Sequence, residues 1–494
     1  MVGLTASRVK KVGIVASDSS EERAVALLQE GFEAEARAED LVLMKNRIGH
    51  QVLGVLRGGS GLDESLKVGA YRPTIAFAKK GGAPSGARET FSFNVQVLGS
   101  ILPDSNGIGK NRTIIAPRSD IILLEEGDKP SPLDMIVGKK EVQWIPRANY
   151  EDRSSWPIPA ETKYLNYHVG IFGSTGCGKS FLARFSIIPM FLQAKYKVLV
   201  LDWSGVDYAP YYNSNVTKIR DVALDEAAVV QYLATKMQHF SYRGANKTEN
   251  QIYTELEEFV GEDWQEKVAG FMNPAATRKA LHDGILAGLQ TSAGNKPALL
   301  AGWTRNFERG YRKLNDNHVR VVMGKKTVED LVSSLKDISV IDMHEVGTDE
   351  KLSFFSTLAN HLTDQMDSGQ ELNLALVIDE GPQYCPWEPR GLQFEATELI
   401  KGLCALGRKH KLSVVMLSQG ISGDIGINAS VRRNLNTQFF GRIHPLDMME
   451  AGNWLSPYGI SPEDLLSMEP GHFYYSGRMN PSPIPLLMTF KVEE

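Results

Sequence analysis

The stretch His168-Val-Gly-Ile-Phe-Gly-Ser-Thr-Gly-Cys-Gly-Lys-Ser180 constrains this chain more than any other. Gly173, Gly178, Lys179 and Ser180 satisfy the spacing GxxxxGK[ST]. An apolar, strand-like run precedes them, and Phe181-Leu-Ala-Arg-Phe-Ser-Ile-Ile188 follows as a helix-forming stretch. Strand, glycine loop and helix are the context a phosphate-binding loop requires. Its glycines let backbone N–H groups turn inward around phosphates, and the helix N-terminus adds the positive end of its dipole. The segment Gly173, Ser174, Thr175, Gly176, Cys177, Gly178, Lys179 and Ser180 is therefore the expected cradle for a nucleotide. Lys179 is expected to reach the β- and γ-phosphates, and Ser180 to hold Mg²⁺. The alternative is a glycine turn leading into a buried helix; the flanking elements favour the phosphate loop.

The whole chain has 494 residues, room for roughly two to four domains. Its 42% hydrophobic and 23% charged residues are ordinary for a globular protein. No apolar run reaches the length of a membrane span, and Met1-Val-Gly-Leu-Thr-Ala-Ser-Arg8 lacks a signal-peptide core. Cys177, Cys385 and Cys404 are too few and too scattered for a disulfide framework or a zinc site. These features together predict a cytoplasmic protein with no membrane partner. A net charge of −5 gives no support for coating nucleic acid with the outer surface. It remains compatible with a locally polar or basic channel.

Residues 1–145 read as short strands between turns. The candidates are Val12–Ala16, Leu41–Met44, Gln51–Leu56, Phe93–Leu98 and Asp120–Leu124. Arg57-Gly-Gly-Ser-Gly61, Lys80-Gly-Gly-Ala-Pro-Ser-Gly86 and Pro103-Asp-Ser-Asn-Gly107 lie between them, a pattern that suggests a small β-barrel. One helix is expected near Glu21–Glu30. Residues 146–164, rich in Arg, Pro, Ser and Trp, read as a linker. Apolar strands then alternate with helices over 165–221 and 316–480, as in an α/β domain. Its expected strands are Val169–Phe172, Lys197–Leu201, Ile338–Met343, Ala375–Ile378, Ser413–Leu417 and Thr437–Gly441. A helical insertion over 222–315, with Val229, Leu233, Met237 and Phe240 as a packing stripe, separates the two parts. Residues 481–494 read as a C-terminal tail.

The remaining chemistry gathers at strand ends. Leu374-Ala-Leu-Val-Ile378 runs into Asp379-Glu380. An Asp there can hold the Mg²⁺ shell, while the next carboxylate orients the attacking water. Leu412–Leu417 ends in Ser418-Gln419, an amide suited to sensing the γ-phosphate. Arg408, in Gly407-Arg408-Lys409-His410, is suited to stabilising a transferring phosphoryl group, in its own site or in a neighbour's. In Asp202-Trp-Ser-Gly-Val-Asp207-Tyr208 either acid can support metal or water, and Asp202 is the preferred one. Gly420–Ile427 is expected to be a mobile loop, either one able to meet DNA phosphates or an ordinary flexible connection, with Arg432 and Arg433 nearby as added charge or plain surface residues.

In this order the residues resemble HerA, the hexameric DNA translocase of the HerA–FtsK superfamily. Ser131-Pro-Leu-Asp-Met-Ile-Val-Gly138 is similar to the family's junction between barrel and ATPase. The resemblance implies an α/β fold: a RecA-like P-loop core with an N-terminal HAS-type barrel. It implies Lys179 and Ser180 as Walker A, Asp379 and Glu380 as Walker B, Gln419 as sensor and Arg408 as the family arginine. It further implies ATP and Mg²⁺, a homohexamer with double-stranded DNA in its central channel, and a NurA-type nuclease on the barrel face in end resection and repair. Three positions depart from the family pattern. Gly205-Val-Asp-Tyr208 stands for Gly-Glu-Tyr, Gly420-Ile421 for Arg-Pro, and Asp379-Glu-Gly-Pro382 for Asp-Glu-Ala-His. Related ATPases serve phage defence with other effector nucleases, so that branch stays open, as do a conjugation-type motor and a scaffold that binds nucleotide but hydrolyses little.

Overall fold

The computed structural model describes residues 10–63, 89–102, 107–239, 247–324 and 326–491. Residues 80–86 and 103–106, expected as turns, and Phe240 lie outside them. Seven strands come first: β1 (Lys10–Val15), β2 (Arg23–Leu28), β3 (Leu41–Lys45), β4 (Gln51–Asp63), β5 (Glu89–Ile101), β6 (Ile108–Gly109) and β7 (Asp120–Leu123). Their order is β2-β1-β7-β3-β4-β5-β6, and β5 pairs back onto β2, so six of them close a barrel. Closure removes exposed sheet edges. Val12, Ala24, Ala26, Val42, Met44, Val95 and Ile121 fill its interior.

The expected helix near Glu21–Glu30 is instead β2. Ala24 and Ala26 are buried in alternation, and Arg23 through Leu27 pair with Gln96 through Ser92. Alanine and leucine favour helices in isolation, but pairing with two neighbouring strands overrides that preference here.

The barrel does not stand apart from the rest. Leu41, Leu43, Leu53, Val55 and Ile122 turn outward and share one apolar cluster with Val169, Ile171, Leu182 and Ile187. A buried polar knot crosses the same seam. Arg57 donates to Glu39 at 2.8 and 3.1 Å, to the Tyr458 carbonyl at 2.7 Å and to the Pro485 carbonyl at 2.8 Å. Tyr474 Oη adds a bond to Glu39 at 3.2 Å. Every N–H of such a buried guanidinium needs an acceptor, and these bonds come from three distant stretches of chain.

The second sheet has eleven strands: β8 (Val142–Tyr150), β9 (Arg153–Glu161), β10 (Val169–Phe172), β11 (Lys197–Asp202), β12 (Val216–Lys218), β13 (Ile338–Asp342), β14 (Leu374–Ile378), β15 (Leu412–Ser418), β16 (Thr437–Phe440), β17 (His472–Gly477) and β18 (Leu486–Thr489). The order is β12-β13-β11-β14-β15-β10-β16-β17-β18-β8-β9, parallel through β16 and antiparallel beyond. Period-2 geometry divides each central strand between two cores. Leu199, Leu201, Leu376, Ile378, Val414 and Met416 face one, while Val198, Val200, Ala375, Val377, Val415 and Leu417 face the other. All six strands expected from the sequence in this region are present.

Two further expectations fail. Residues 146–164 are no linker: β8 and β9 form a hairpin in which Trp156, Ile158 and Ala160 are buried. Pro157 and Pro159 fit because β9 is the last strand of the sheet, where a missing N–H costs no ladder bond. The segment 481–494 likewise contains β18, inserted between β17 and β8.

Between β12 and β13 lie the helices Glu226–Met237, Lys247–Val260, Trp264–Ala269, Pro274–Ala293, Pro297–Tyr311, Asp316–Val321 and Val328–Ser333. Asp225, Asn273, Asn315 and Thr327 cap four of them by accepting backbone N–H bonds. Val229, Leu233 and Met237 are buried, as core packing requires. Among the described residues no helix is long and apolar enough to cross a membrane.

Candidate nucleotide-binding site

Four adjacent parallel strands, β11, β14, β15 and β10, end at one edge of the sheet. Phe172 pairs with Ser418, Ile378 with Met416, and Leu201 with Ile378. The loops after them therefore meet, at the edge where open α/β sheets hold ligands.

The loop after β10 is Gly173–Gly178, followed by the helix Lys179–Leu182. Gly176 and Gly178 have φ of 80° and 103°, backbone that side chains rarely adopt. A Cβ on Gly173 would lie 2.7 Å from Cys177 Sγ. Cys177 is fully buried beneath the loop, and burial raises its thiol pKa, so it acts as a small filler rather than a reactive group. Lys179 Nζ donates to the Gly173 carbonyl at 2.8 Å and to that of Ser174 at 3.4 Å, lying against the loop. The helix widens into a π turn at Ala183–Ile187, just before Pro189, which has no N–H to donate.

β14 delivers Asp379 and Glu380. Asp379 is 4% exposed, and its Oδ2 is buried without a hydrogen-bond partner. Burial raises its pKa to about 8, reinforced by the charges of Asp207, Glu380 and Asp202. Carboxylate oxygens of Asp202, Asp207 and Asp379 lie within 4.8 Å of one another. An orphaned buried oxygen among like charges is the environment a hard divalent cation relieves, so the residues present fit Mg²⁺.

Within that cluster Asp202 has a different task. One of its oxygens accepts from Gly205 N–H at 2.9 Å and Ser204 Oγ at 3.2 Å; the other accepts from the N–H groups of Tyr208 and Ala209, both at 2.9 Å. Asp202 is thus the knot that folds the loop presenting Asp207, which itself accepts from Ser204 Oγ at 3.1 Å. Of the two acids offered by the sequence, the geometry favours Asp207 as the one facing Asp379. Lys351 closes the loop from behind, donating to the Trp203 carbonyl at 2.7 Å with its ammonium 4.2 Å from the centre of that ring.

Glu380 has φ 52°, ψ 52°, uncommon for a residue with a side chain. Its Oε1 accepts from Gln419 Nε2 at 2.7 Å, and Gln419 Oε1 accepts from Thr175 Oγ1 at 3.2 Å. One chain of hydrogen bonds therefore runs from the glycine loop through Gln419 to Glu380. Gly381 follows Glu380 of necessity, since a Cβ there would lie 2.7 Å from Met416 Cγ.

Arg408 is not brought to this site. It follows the helix Leu392–Gly407 and precedes Leu412, so it sits at the opposite end of β15 from Gln419. The seven residues of that strand span roughly 20 Å. Its guanidinium lies 5.2 Å from the Tyr167 ring centre, and its Nε is buried without a partner. Action on its own chain's nucleotide is excluded by that distance.

The loop Gly420–Ile427 is anchored rather than free. Ile421 and Ile427 are buried, and only Gly423–Ile425 is exposed. Arg432 is 6% exposed, paired with Glu450 at 2.8 Å and set over the Trp387 ring, so it is not free to meet DNA; Arg433 is exposed. Arg442, which the sequence reading passed over because no motif marks it, lies against Ser174 and Thr175.

Residues 149–362 match the family model of the central domain of helicase HerA. The matched residues, less than half of the chain, include the glycine loop. Among solved structures, the chain is similar to VirB4 of Thermoanaerobacter pseudethanolicus, at 12% identity over 71% of this chain and 97% of that one, with a TM-score of 0.48. It is also similar to plasmid coupling protein TrwB in complex with ADP and Mg²⁺, at 11% identity over 72% and 97% of the two chains and a TM-score of 0.46. The genome packaging NTPase B204 from Sulfolobus turreted icosahedral virus 2, in complex with AMPPCP, matches at 11% identity over 66% and 98%, with a TM-score of 0.33. No curated protein sequence is significantly similar to the chain.

Proposed function

We propose that this protein is an ATP-hydrolysing motor that assembles as a ring of six and moves double-stranded DNA through its centre. The observation that carries the reading is the convergence of the glycine loop, the orphaned Asp379 carboxylate and the Thr175–Gln419–Glu380 chain on one sheet edge. Lys179 leaves the loop carbonyls and places its charge on the β- and γ-phosphates. Ser180, Asp379 and Asp207 would hold Mg²⁺. Held there, the ion would supply positive charge against the charge that builds up during phosphoryl transfer. Glu380 orients the attacking water and accepts its proton, while Gln419 fixes Glu380 and registers the γ-phosphate. Arg408 of one subunit completes the site of the next, where a cation stabilises the transition state more than the bound ground state.

A net charge of −5 argues for DNA contacts that are few per subunit and multiplied by the ring. The barrel face is the proposed seat of a NurA-type nuclease, which ties the motor to end resection; an effector nuclease of a defence system is the alternative occupant. The test is the ATPase rate of the purified protein with and without duplex DNA over a salt series, beside its mass by light scattering. Hexamers whose turnover rises with duplex DNA and falls back as salt weakens phosphate contacts are expected. A monomer whose turnover ignores DNA at every salt concentration overturns the motor.

A further inference from the structure

The glycine loop and the turn after Gln419 are fastened to one short segment that the proposed chemistry does not use. Arg442 follows β16 and lies against the loop. Its carbonyl accepts from Ser174 N–H at 2.6 Å. Its guanidinium donates from Nε to Ser174 Oγ at 3.2 Å and from Nη2 to the Thr175 carbonyl at 3.3 Å. Further along, the fully buried Asp447 accepts from the N–H groups of Ile421 at 3.0 Å and Ser422 at 2.9 Å. Glu450 then pairs with Arg432, whose guanidinium also donates to the Ile421 carbonyl. One end of this segment grips the loop under the expected phosphates, and the other grips the turn behind the expected γ-phosphate amide.

The Thr175 carbonyl and the Gly176 N–H belong to one peptide unit. A guanidinium on that carbonyl polarises the unit and strengthens the N–H on its far side as a donor. Phosphate loops turn such N–H groups inward, so Arg442 reaches a bound nucleotide through the peptide plane rather than by contact. The gripped turn is itself tightly closed: a Cβ on Gly426 would lie 2.2 Å from Ser422 N. It therefore shifts as a piece when Ile421 and Ser422 shift, carrying the exposed tip Gly423–Ile425 with it.

We propose that Arg442 is a positioning residue of the nucleotide site, and that Arg442–Asp447 is a strap passing phosphate occupancy at Ser174–Gly176 to the loop Gly420–Ile427. This rests on the nucleotide-binding reading above. The strap gives that reading an output, a defined exposed tip that answers to the nucleotide.

Amide hydrogen exchange of the full chain, with and without ADP and Mg²⁺, tests it alongside ADP affinity by calorimetry. In the wild type, ADP slows exchange both at 173–180 and at 420–427. Arg442→Ala weakens ADP binding about ten-fold, the worth of one charge-assisted hydrogen bond. At saturating ADP it regains protection at 173–180 but not at 420–427. Arg442→Lys, which keeps the charge without the two-point fork, falls between. Asp447→Asn keeps ADP affinity within about two-fold and loses only the response at 420–427. Ser174→Ala, a smaller change, weakens the same response with an unchanged melting temperature. A full response at 420–427 in saturated Arg442→Ala or Asp447→Asn overturns the strap, as does a wild type that binds ADP with no change there. Those outcomes leave the nucleotide reading intact, whereas a wild type that binds no ADP removes both.

Discussion

Gln419 Nε2 donates to Glu380 Oε1 at 2.7 Å, joining the ends of two neighbouring parallel strands at the glycine loop. The bond sets which way the carboxylate points, and it uses the same amide that Thr175 contacts from the other side. Glu380→Gln keeps the shape and loses the base. ATP is expected to bind near its wild-type affinity while kcat falls by at least about 10²-fold, which calorimetry and single-turnover hydrolysis measure separately. A wild-type kcat would remove Glu380 from the chemistry.

Lys179→Ala is expected to abolish both nucleotide binding and turnover. Lys179 donates to the Gly173 carbonyl at 2.8 Å, whereas the contacts of the nearby Arg442 guanidinium are with Ser174 and Thr175. ATPase activity retained in a variant with an unchanged circular dichroism spectrum would place the site elsewhere.

The Arg408 placement predicts complementation. Arg408→Ala and Lys179→Ala should each be inactive alone. Mixed, they form interfaces pairing an intact loop from one variant with an intact Arg408 from the other, and part of the ATPase activity returns. Mixtures that stay inactive under conditions where subunits exchange would rule out action between subunits.

Asp379 predicts an unusual pH dependence. Its pKa is raised from 3.8 in the unfolded chain to about 8 in the fold, so the folded state holds its proton more tightly. That contribution favours folding below about pH 4, is lost progressively as pH rises, and is gone above about pH 8. Without nucleotide and Mg²⁺ the melting temperature should therefore fall between pH 5 and 8, and Asp379→Asn should flatten the decline while abolishing hydrolysis. A melting temperature as pH-dependent in Asp379→Asn as in the wild type would show that other groups set it.

The knot at the barrel seam predicts a stability effect distinct from activity. Arg57 and Glu39 are 2% and 7% exposed, so removing one partner strands the other as a buried charge. Arg57→Ala should cost about 3–5 kcal/mol in chemical denaturation. A loss below about 1 kcal/mol, the range of surface pairs, would mean that water reaches the seam.

The parts of this molecule legible in its sequence are those whose signal is local. The glycine loop, Asp379-Glu380 after an apolar strand, and Gln419 after the next are each written within a dozen residues, and the structure brings them together. What escaped depends on partners far along the chain. β2 has alanines that suit a helix until β1 and β5 flank it. The hairpin β8–β9 hides its alternating Trp156, Ile158 and Ala160 among prolines that only an edge strand accepts. Sequence alone prefers Asp202 to Asp207, and the backbone N–H groups that fill both oxygens of Asp202 reverse that choice. Arg408 carried the right chemistry, but nothing in its neighbourhood disclosed which end of β15 it would occupy.

The place of β18 has a consequence for how the chain is made. Met488 and Thr489 pair with Tyr150 and Asn149, across nearly the whole length of the ATPase region. A ribosome therefore releases the hairpin β8–β9 long before its neighbour exists. Until that last strand is synthesised, one border of the hairpin stays open, beside a barrel already able to close. Partially made chains should accordingly be the most vulnerable to proteases and to strand exchange at this border, and deletion of Leu486–Thr489 should unravel the sheet from the side farthest from the nucleotide.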